Sequence, residues 1–222
     1  MRRMVLPGEL ITEGNYRLGG GVYREKEKIY ASVLGLVDER RNYIRVIPMS
    51  GKYSPQVGDF VIGTIIDAQF SSWVLDINSA YLGILNGDDY FREIDVFQTD
   101  LRRVMPIGEM IFAMIREVSP QKRIYLTMRE RGARRIRGGR MLDVTPTKIP
   151  RVIGKKTSMV SMIKREAGCE VLVGQNGMVW VNGKDELVEI AVDAIKRIEK
   201  EAHTSGLTNK IREMIIEARE KL

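Results

Sequence analysis

The sequence is poor in the residues that most catalytic and metal chemistry requires. Its 222 residues include one cysteine, Cys169, and one histidine, His203. A single cysteine excludes an intramolecular disulfide and any multi-cysteine zinc site built by this chain alone. The lone histidine falls at the end of a predicted helix, and no His/Asp/Glu or Cys/His arrangement has workable spacing, which argues against a nuclease. Neither a cofactor nor a metal is expected. No uninterrupted apolar run approaches the roughly 20 residues of a membrane span. The opening MRRMVLPGEL has two arginines with no apolar stretch behind them. It is therefore not read as a secretory signal, and the cytoplasm is the expected compartment.

Hydrophobic residues make up 44% and charged residues 29%, a balance that can bury real cores. The length favours several small domains over one large one. The net charge of +7 is unevenly spread: +4 over residues 1–55, −4 over 56–128, +9 over 129–168 and −2 over 169–222. Positive charge gathered into about forty residues can neutralise phosphates, whereas a diffuse excess mainly aids solubility. A solvated charged linker is the alternative.

Residues 1–55 read as a small all-β module. Runs at Ile29–Val37 and Tyr43–Ile47, broken at Pro48, alternate with turn residues, and Val33, Leu34, Leu36 and Val37 are the expected core. Gly19-Gly20-Gly21 has no helix behind it to complete a phosphate cradle, so a flexible hairpin is expected there.

Residues 56–128 contain five short strand-like runs with one longer irregular connection, the pattern of a small OB-type barrel. Val57-Gly58, Gly63-Thr64-Ile65, Phe70-Ser71-Ser72-Trp73-Val74 and Gly83-Ile84-Leu85 resemble the OB domain named after ribosomal protein S-one, with Ser71 where that family usually has glycine. The resemblance implies that Phe70 and Trp73 lie on the RNA-facing surface, where exposed rings stack on bases with little sequence preference. A core position for one or both rings is the structural alternative. The segment is acidic overall, so a local strip must carry any RNA contact. Its cations are Arg92, Arg102, Arg103, Arg116, Lys122 and Arg123, with Lys122-Arg123 best placed beyond the Ser119-Pro120 turn. Asp88-Asp89, with no histidine nearby, reads as a solvated turn rather than a metal site.

An Arg/Gly-rich link follows at 129–141, with Arg129, Arg131, Arg134, Arg135 and Arg137 as phosphate-binding candidates, since a guanidinium pairs bidentately with phosphate and stacks on bases. An ordered linker pinned by neighbouring carboxylates is the alternative. From residue 142 to 222 the order is a strand at Leu142–Ile149, a Gly154-Lys155-Lys156-Thr157 loop and a helix at Ser158–Ala167 stopped by Gly168. Strands at Cys169–Val173 and Met178–Val181 are joined by Gly174-Gln175-Asn176-Gly177, whose Asn-Gly is a strong hairpin signal. A helix after Lys184 carries an apolar stripe at Leu187, Ile190, Ala191, Ala194, Ile195 and Ile198. A last helix has Leu207, Ile211, Met214, Ile215, Ala218 and Leu222 on one face, packed on this domain or on a partner. This order resembles a KH domain, an RNA-binding α/β unit with a Gly-x-x-Gly loop. Thr157 stands in place of the second glycine. Its Cβ disfavours left-handed backbone and puts ordinary clamping in doubt, although Lys155 and Lys156 can still touch phosphate. Cys169 reads as a small buried residue.

The expected fold is thus multidomain, β plus α+β. The domain order, with Leu6-Pro7-Gly8, Gly14-Asn15-Tyr16-Arg17, the barrel motifs and Gly174-Gln175-Asn176-Gly177, is similar to the KH-carrying RNA-binding cap subunits of the archaeal exosome, the ribosomal RNA-processing protein four family. In that family the last turn, with Gly174, Asn176 and Gly177, is structural and packs towards the barrel. The resemblance implies a non-catalytic subunit that captures the 3′ end of single-stranded RNA over a ring of RNase PH-like subunits. It implies further that the N-terminal module and the last helix are candidates for ring contact. The zinc-ribbon cap subunit is a further candidate partner in mixed caps. The alternative is a free-standing RNA-binding translation or ribosome-assembly factor.

Overall fold

The fold is described from a computed structural model, in which residues 3–49, 51–90, 95, 98–202, 204 and 206–221 are defined. Arg92, His203 and Leu222 lie outside the described residues. The chain forms two compact units, residues 1–51 and 52–222.

The first unit is all-β. Strands β1 (Met4–Val5), β6 (Gly35–Arg40), β7 (Tyr43–Pro48) and β3 (Arg17–Leu18) form one sheet, in the order β1-β6-β7-β3. Strands β2 (Leu10–Glu13), β5 (Lys28–Ala31) and β4 (Val22–Glu25) form another. The core is Val5, Ile29, Ala31, Val37, Ile44 and Val46. Of the four expected core residues only Val37 is buried, and Leu34 is exposed. The cause is a bend at residues 32–34 that splits the run Ile29–Val37 into two strands and resets which side faces inward. Gly35, just after it, sits against the Ile47 carbonyl, where a Cβ would approach to 2.2 Å. The glycine run is not a slack hairpin either. Gly19 donates to the Ile44 carbonyl at 2.8 Å, and a Cβ there would collide with the Tyr43 ring and hydroxyl.

The second unit begins with a closed five-stranded barrel of β8 (Phe60–Ala68), β9 (Ser72–Asp76), β10 (Gly83–Asn86), β11 (Met110–Val118) and β12 (Ile124–Thr127). Neighbours are antiparallel except for β10 and β12, whose parallel pairing, with β12 on β11, closes the cylinder. Inward-facing side chains such as Val61, Ile65, Leu75, Leu85, Ile111, Ile115 and Leu126 fill it. Tyr53 fixes the incoming chain: its hydroxyl donates to Asp59 Oδ2 at 2.6 Å. Burial pushes the pKa of the phenol and of the Asp59 carboxyl up.

The segment expected as a link contributes a short strand to each of two sheets. Strand β13 (Arg134–Ile136) pairs with Met110–Phe112 of β11, and β14 (Arg140–Asp143) starts the next domain. There β14, β16 (Met178–Asn182) and β15 (Glu170–Val173) form an antiparallel sheet in the order β14-β16-β15. Four helices accompany it: α2 (Ile149–Ile153), α3 (Ser158–Ala167), α4 (Asp185–Lys200) and α5 (Leu207–Arg219), while α1 (Leu101–Val104) belongs to the barrel. The first strand ends well before Ile149 because Pro146 and Pro150 cannot donate to a ladder but suit the opening turn of a helix.

Alternation along β16 gives this sheet two faces. Val179 and Val181 pack on the helices, whereas Met178 and Trp180 join Ile62, Phe112 and Ile136 in a small core shared with the barrel. Helix α4 is buried more widely than its predicted stripe, with Val188 and Val192 added and Leu187 only partly covered. Helix α5 turns Leu207, Ile211 and Ile215 onto the same helical core, so this apolar face is spent inside the domain.

Candidate nucleic-acid interface

Trp73 is not on the surface where the resemblance put it. Its position on β9 places it opposite Ala68 and Leu85, inside the barrel, at 0% exposure. Its indole Nε1 donates to the carbonyls of Leu101 (3.2 Å) and Met105 (3.1 Å), and its ring lies 5.7 Å from that of Tyr90. With both faces covered, the ring offers no platform for a base.

Phe70 is placed oppositely. It projects from the β8–β9 turn at 68% exposure. Ser71 costs nothing there, because its φ is not left-handed. Beside Phe70 lies a cleft of about 340 Å³ lined by Ala68, Gln69 and Phe70 and by residues 98–102. The far wall is the α1 turn, which the Trp73 indole holds to the barrel. Asp100 caps that turn through the Arg102 N–H at 3.0 Å and lies 4.0 Å from Arg103, so its carboxylate is engaged on its own helix. Arg102 lines the cleft and Arg103 is exposed next to it. A ring to stack on, guanidinium groups for phosphate and side-chain amides at Gln69 and Gln98 give the cleft the chemistry of a nucleotide site. The amides belong to irregular segments and carry no sequence signal.

Other expected contacts are engaged elsewhere. Arg116 Nη1 lies 2.6 Å from both carboxylate oxygens of Asp89, which is buried rather than a solvated turn residue. Arg135 grips Glu109 with two hydrogen bonds, which push the guanidinium pKa further up, and Arg137 lies 3.9 Å from the same carboxylate. Arg134 lies 2.6 Å from Glu170 and 5.5 Å over the Trp180 ring. Of the link arginines proposed for phosphate, Arg129 and Arg131 are exposed and form no ion pair among the described residues. The pinned link is therefore the better description of residues 134–137.

Lys122 and Arg123 are exposed in the β11–β12 turn. The register sets Met114 opposite Phe60, so this turn lies past the start of β8, at the opposite end of the strands from Phe70. A strand of nine residues spans about 30 Å, so one nucleotide cannot touch both groups.

The loop before α3 adopts the left-handed backbone that Thr157 was expected to resist. Lys156 has φ 52°, ψ 41° and Thr157 has φ 61°, ψ 18°, after Gly154 at φ 76°. Lys155 and Lys156 stand exposed. A side chain in that region costs roughly 1–2 kcal/mol, and glycine gives part of this back in unfolded-state entropy. Thr157→Gly is therefore expected to raise the unfolding free energy by about 0.5–1 kcal/mol. Urea denaturation measures it, and a loss of stability would show that the threonine is not strained.

The Gly174–Gly177 turn joins the two domains. Asn176, 0% exposed, donates from Nδ2 to the carbonyls of Ile62 (2.7 Å) and Ile77 (2.9 Å) and accepts from the Ile62 N–H at 3.3 Å. The Gln175 N–H donates to Phe60 O at 2.7 Å, and Asn78 Nδ2 donates to Asn176 O at 3.2 Å. A Cβ on Gly174 would sit 2.9 Å from the Ile62 nitrogen, and one on Gly177 2.5 Å from the Val144 carbonyl. Cys169 is buried, which raises its thiol pKa. Among the described residues no cluster of His, Cys, Asp and Glu could hold a metal ion, and no helix is long and apolar enough to cross a membrane.

Comparison with known proteins adds to this geometry. Residues 2–50 match the family described as the exosome RNA binding protein RRP4 N-terminal domain, and residues 139–187 match the KH domain family. The chain is 43% identical to the exosome complex component Rrp4 of Pyrococcus horikoshii over 225 residues, covering 100% of this chain and 85% of that one. It is 42% identical to the protein of that name from Methanothermus fervidus, covering 97% and 96%. A crystal structure described as an exosome complex RNA-binding protein is similar with TM-score 0.68 and 36% identity, over 77% of this chain and 99% of that one.

Proposed function

Because this chain belongs to the Rrp4 family of exosome components, we propose that it is a non-catalytic RNA-binding cap subunit of the archaeal exosome. In this reading it captures the 3′ end of single-stranded RNA and guides it into a phosphorolytic 3′–5′ exoribonuclease ring, raising affinity and processivity. The observation that carries the RNA contact is the exposed Phe70 ring beside a cleft of about 340 Å³ lined by Arg102, with exposed Arg103 next in sequence. Arg129, Arg131, Lys122, Arg123, Lys155 and Lys156 then serve as outlying phosphate contacts, and Arg116, Arg134, Arg135 and Arg137 as structural cations.

The N-terminal module is the proposed docking element for RNase PH-like ring subunits. Val5 pairs with Gly35 and Gly35 with Pro48, so exposed Leu6, Leu34 and Met49 follow at neighbouring ladder positions and form one apolar patch. Patches of this kind mark protein contacts. Mixed caps with the zinc-ribbon subunit are part of the same reading.

Fluorescence anisotropy with a single-stranded RNA of about 12 nucleotides tests the proposal. Phe70→Ala is expected to weaken binding roughly tenfold with an unchanged melting temperature. The pure chain is expected to leave the RNA uncut in phosphate and magnesium. Shortening of the RNA, or co-purification of the native protein with ribosomes instead of a nuclease ring, would overturn the reading.

A further inference from the structure

We propose that Tyr81, with Leu82, Lys122 and Arg123, forms a second nucleotide-binding point, at the end of the barrel that meets the KH domain. The inference rests on the RNA-binding reading above and adds a place where the strand leaves the barrel. Tyr81 and Leu82 are 39% and 50% exposed. They immediately precede β10 as Lys122 and Arg123 precede β12, and the parallel register Gly83↔Ile124 brings both pairs to one end of the barrel. An apolar and aromatic surface is thereby set beside two exposed cations, the pairing of base platform and phosphate contact that single-stranded RNA requires.

The turn carrying Tyr81 is held rigidly. Ser79 Oγ donates to the Tyr81 carbonyl at 2.6 Å, the Tyr81 N–H donates to Ser79 Oγ at 3.0 Å, and Ser79 forms a bridge with Tyr53. Asn78, one position earlier, donates to the Asn176 carbonyl of the KH turn. The platform is thus part of the joint itself. Asp76, the nearest acid on the preceding strand, accepts the Asn78 N–H at 2.9 Å. The lone-domain alternative, in which Tyr81 is a solvated loop residue, gives the cations no stacking partner.

Anisotropy with the full chain and a 12-nucleotide single-stranded RNA is the test. Tyr81→Ala should weaken binding at least about fivefold, the lower end for one base–ring stack, while Tyr81→Phe keeps it. The double variant Lys122→Ala/Arg123→Ala should lower the slope of log affinity against log salt by about 1.4, as for two phosphates on a single strand. Photo-cross-linking of 4-thiouridine RNA to the unsubstituted protein should label the peptide holding Tyr81, a readout that does not depend on how the variants fold. Wild-type affinity in Tyr81→Ala together with no label at this peptide would overturn the second point, while the Phe70→Ala loss would leave the function reading standing. Absence of RNA binding by the unsubstituted protein would overturn both.

Discussion

Trp73→Ala is expected to destabilise the barrel by about 3–5 kcal/mol, the range for removing a large buried aromatic. The ring is fully buried, packs on Tyr90 and holds two carbonyls of the α1 turn. Its loss leaves a cavity and takes the indole donor from the Met105 carbonyl, while the Leu101 carbonyl keeps the Met105 N–H. A domain stable by roughly 5–15 kcal/mol would lose a large share of that margin. RNA affinity should fall as well, but indirectly, because the α1 turn carries Arg102 and forms the cleft wall. Phe70→Ala should show the reverse signature, with RNA lost and stability kept. Urea unfolding of the two variants in parallel separates them. A Trp73→Ala protein that melts like the unsubstituted chain yet binds RNA poorly would mean that the indole meets RNA after all.

Asn176→Ala is expected to cost about 3 kcal/mol or more, because it strips partners from one buried N–H and two buried carbonyls at once. The groups left behind are the Ile62 N–H and C=O and the Ile77 C=O. Asn176→Asp keeps the shape but turns a charge towards those carbonyls, and is expected to be at least as damaging. Hydrogen exchange should show amides of β8 and of the Gly174–Gly177 turn losing protection together. A shift in urea stability below about 1 kcal/mol would show that the turn closes on backbone hydrogen bonds alone.

These two side chains also mark how far the sequence could be read. Helix α3 lies where its period and Gly168 put it, and the Asn-Gly hairpin is where its dipeptide predicts it. Both are written in adjacent residues. The side facing of Trp73 is not, because Trp73, Val74 and Leu75 are all apolar and a period of two cannot choose between faces. Register with Ala68 and Leu85 decides it. Arginines of the link are engaged for a related reason: Arg135 finds Glu109 26 residues back, and Arg140 finds Glu189 49 residues ahead. Composition records the guanidinium groups, but only the fold supplies their carboxylates. The same holds for Asp89, whose partner Arg116 is 27 residues away.

Strand β13 carries a last consequence, for solubility. It pairs with the half of β11 that β12 does not reach, and it covers Ile62 and Phe112 through Ile136. A barrel cut off at Met128 would therefore expose a bare strand edge flanked by apolar side chains, a template for edge-to-edge aggregation. The same barrel extended through Ile136 would carry its own cover.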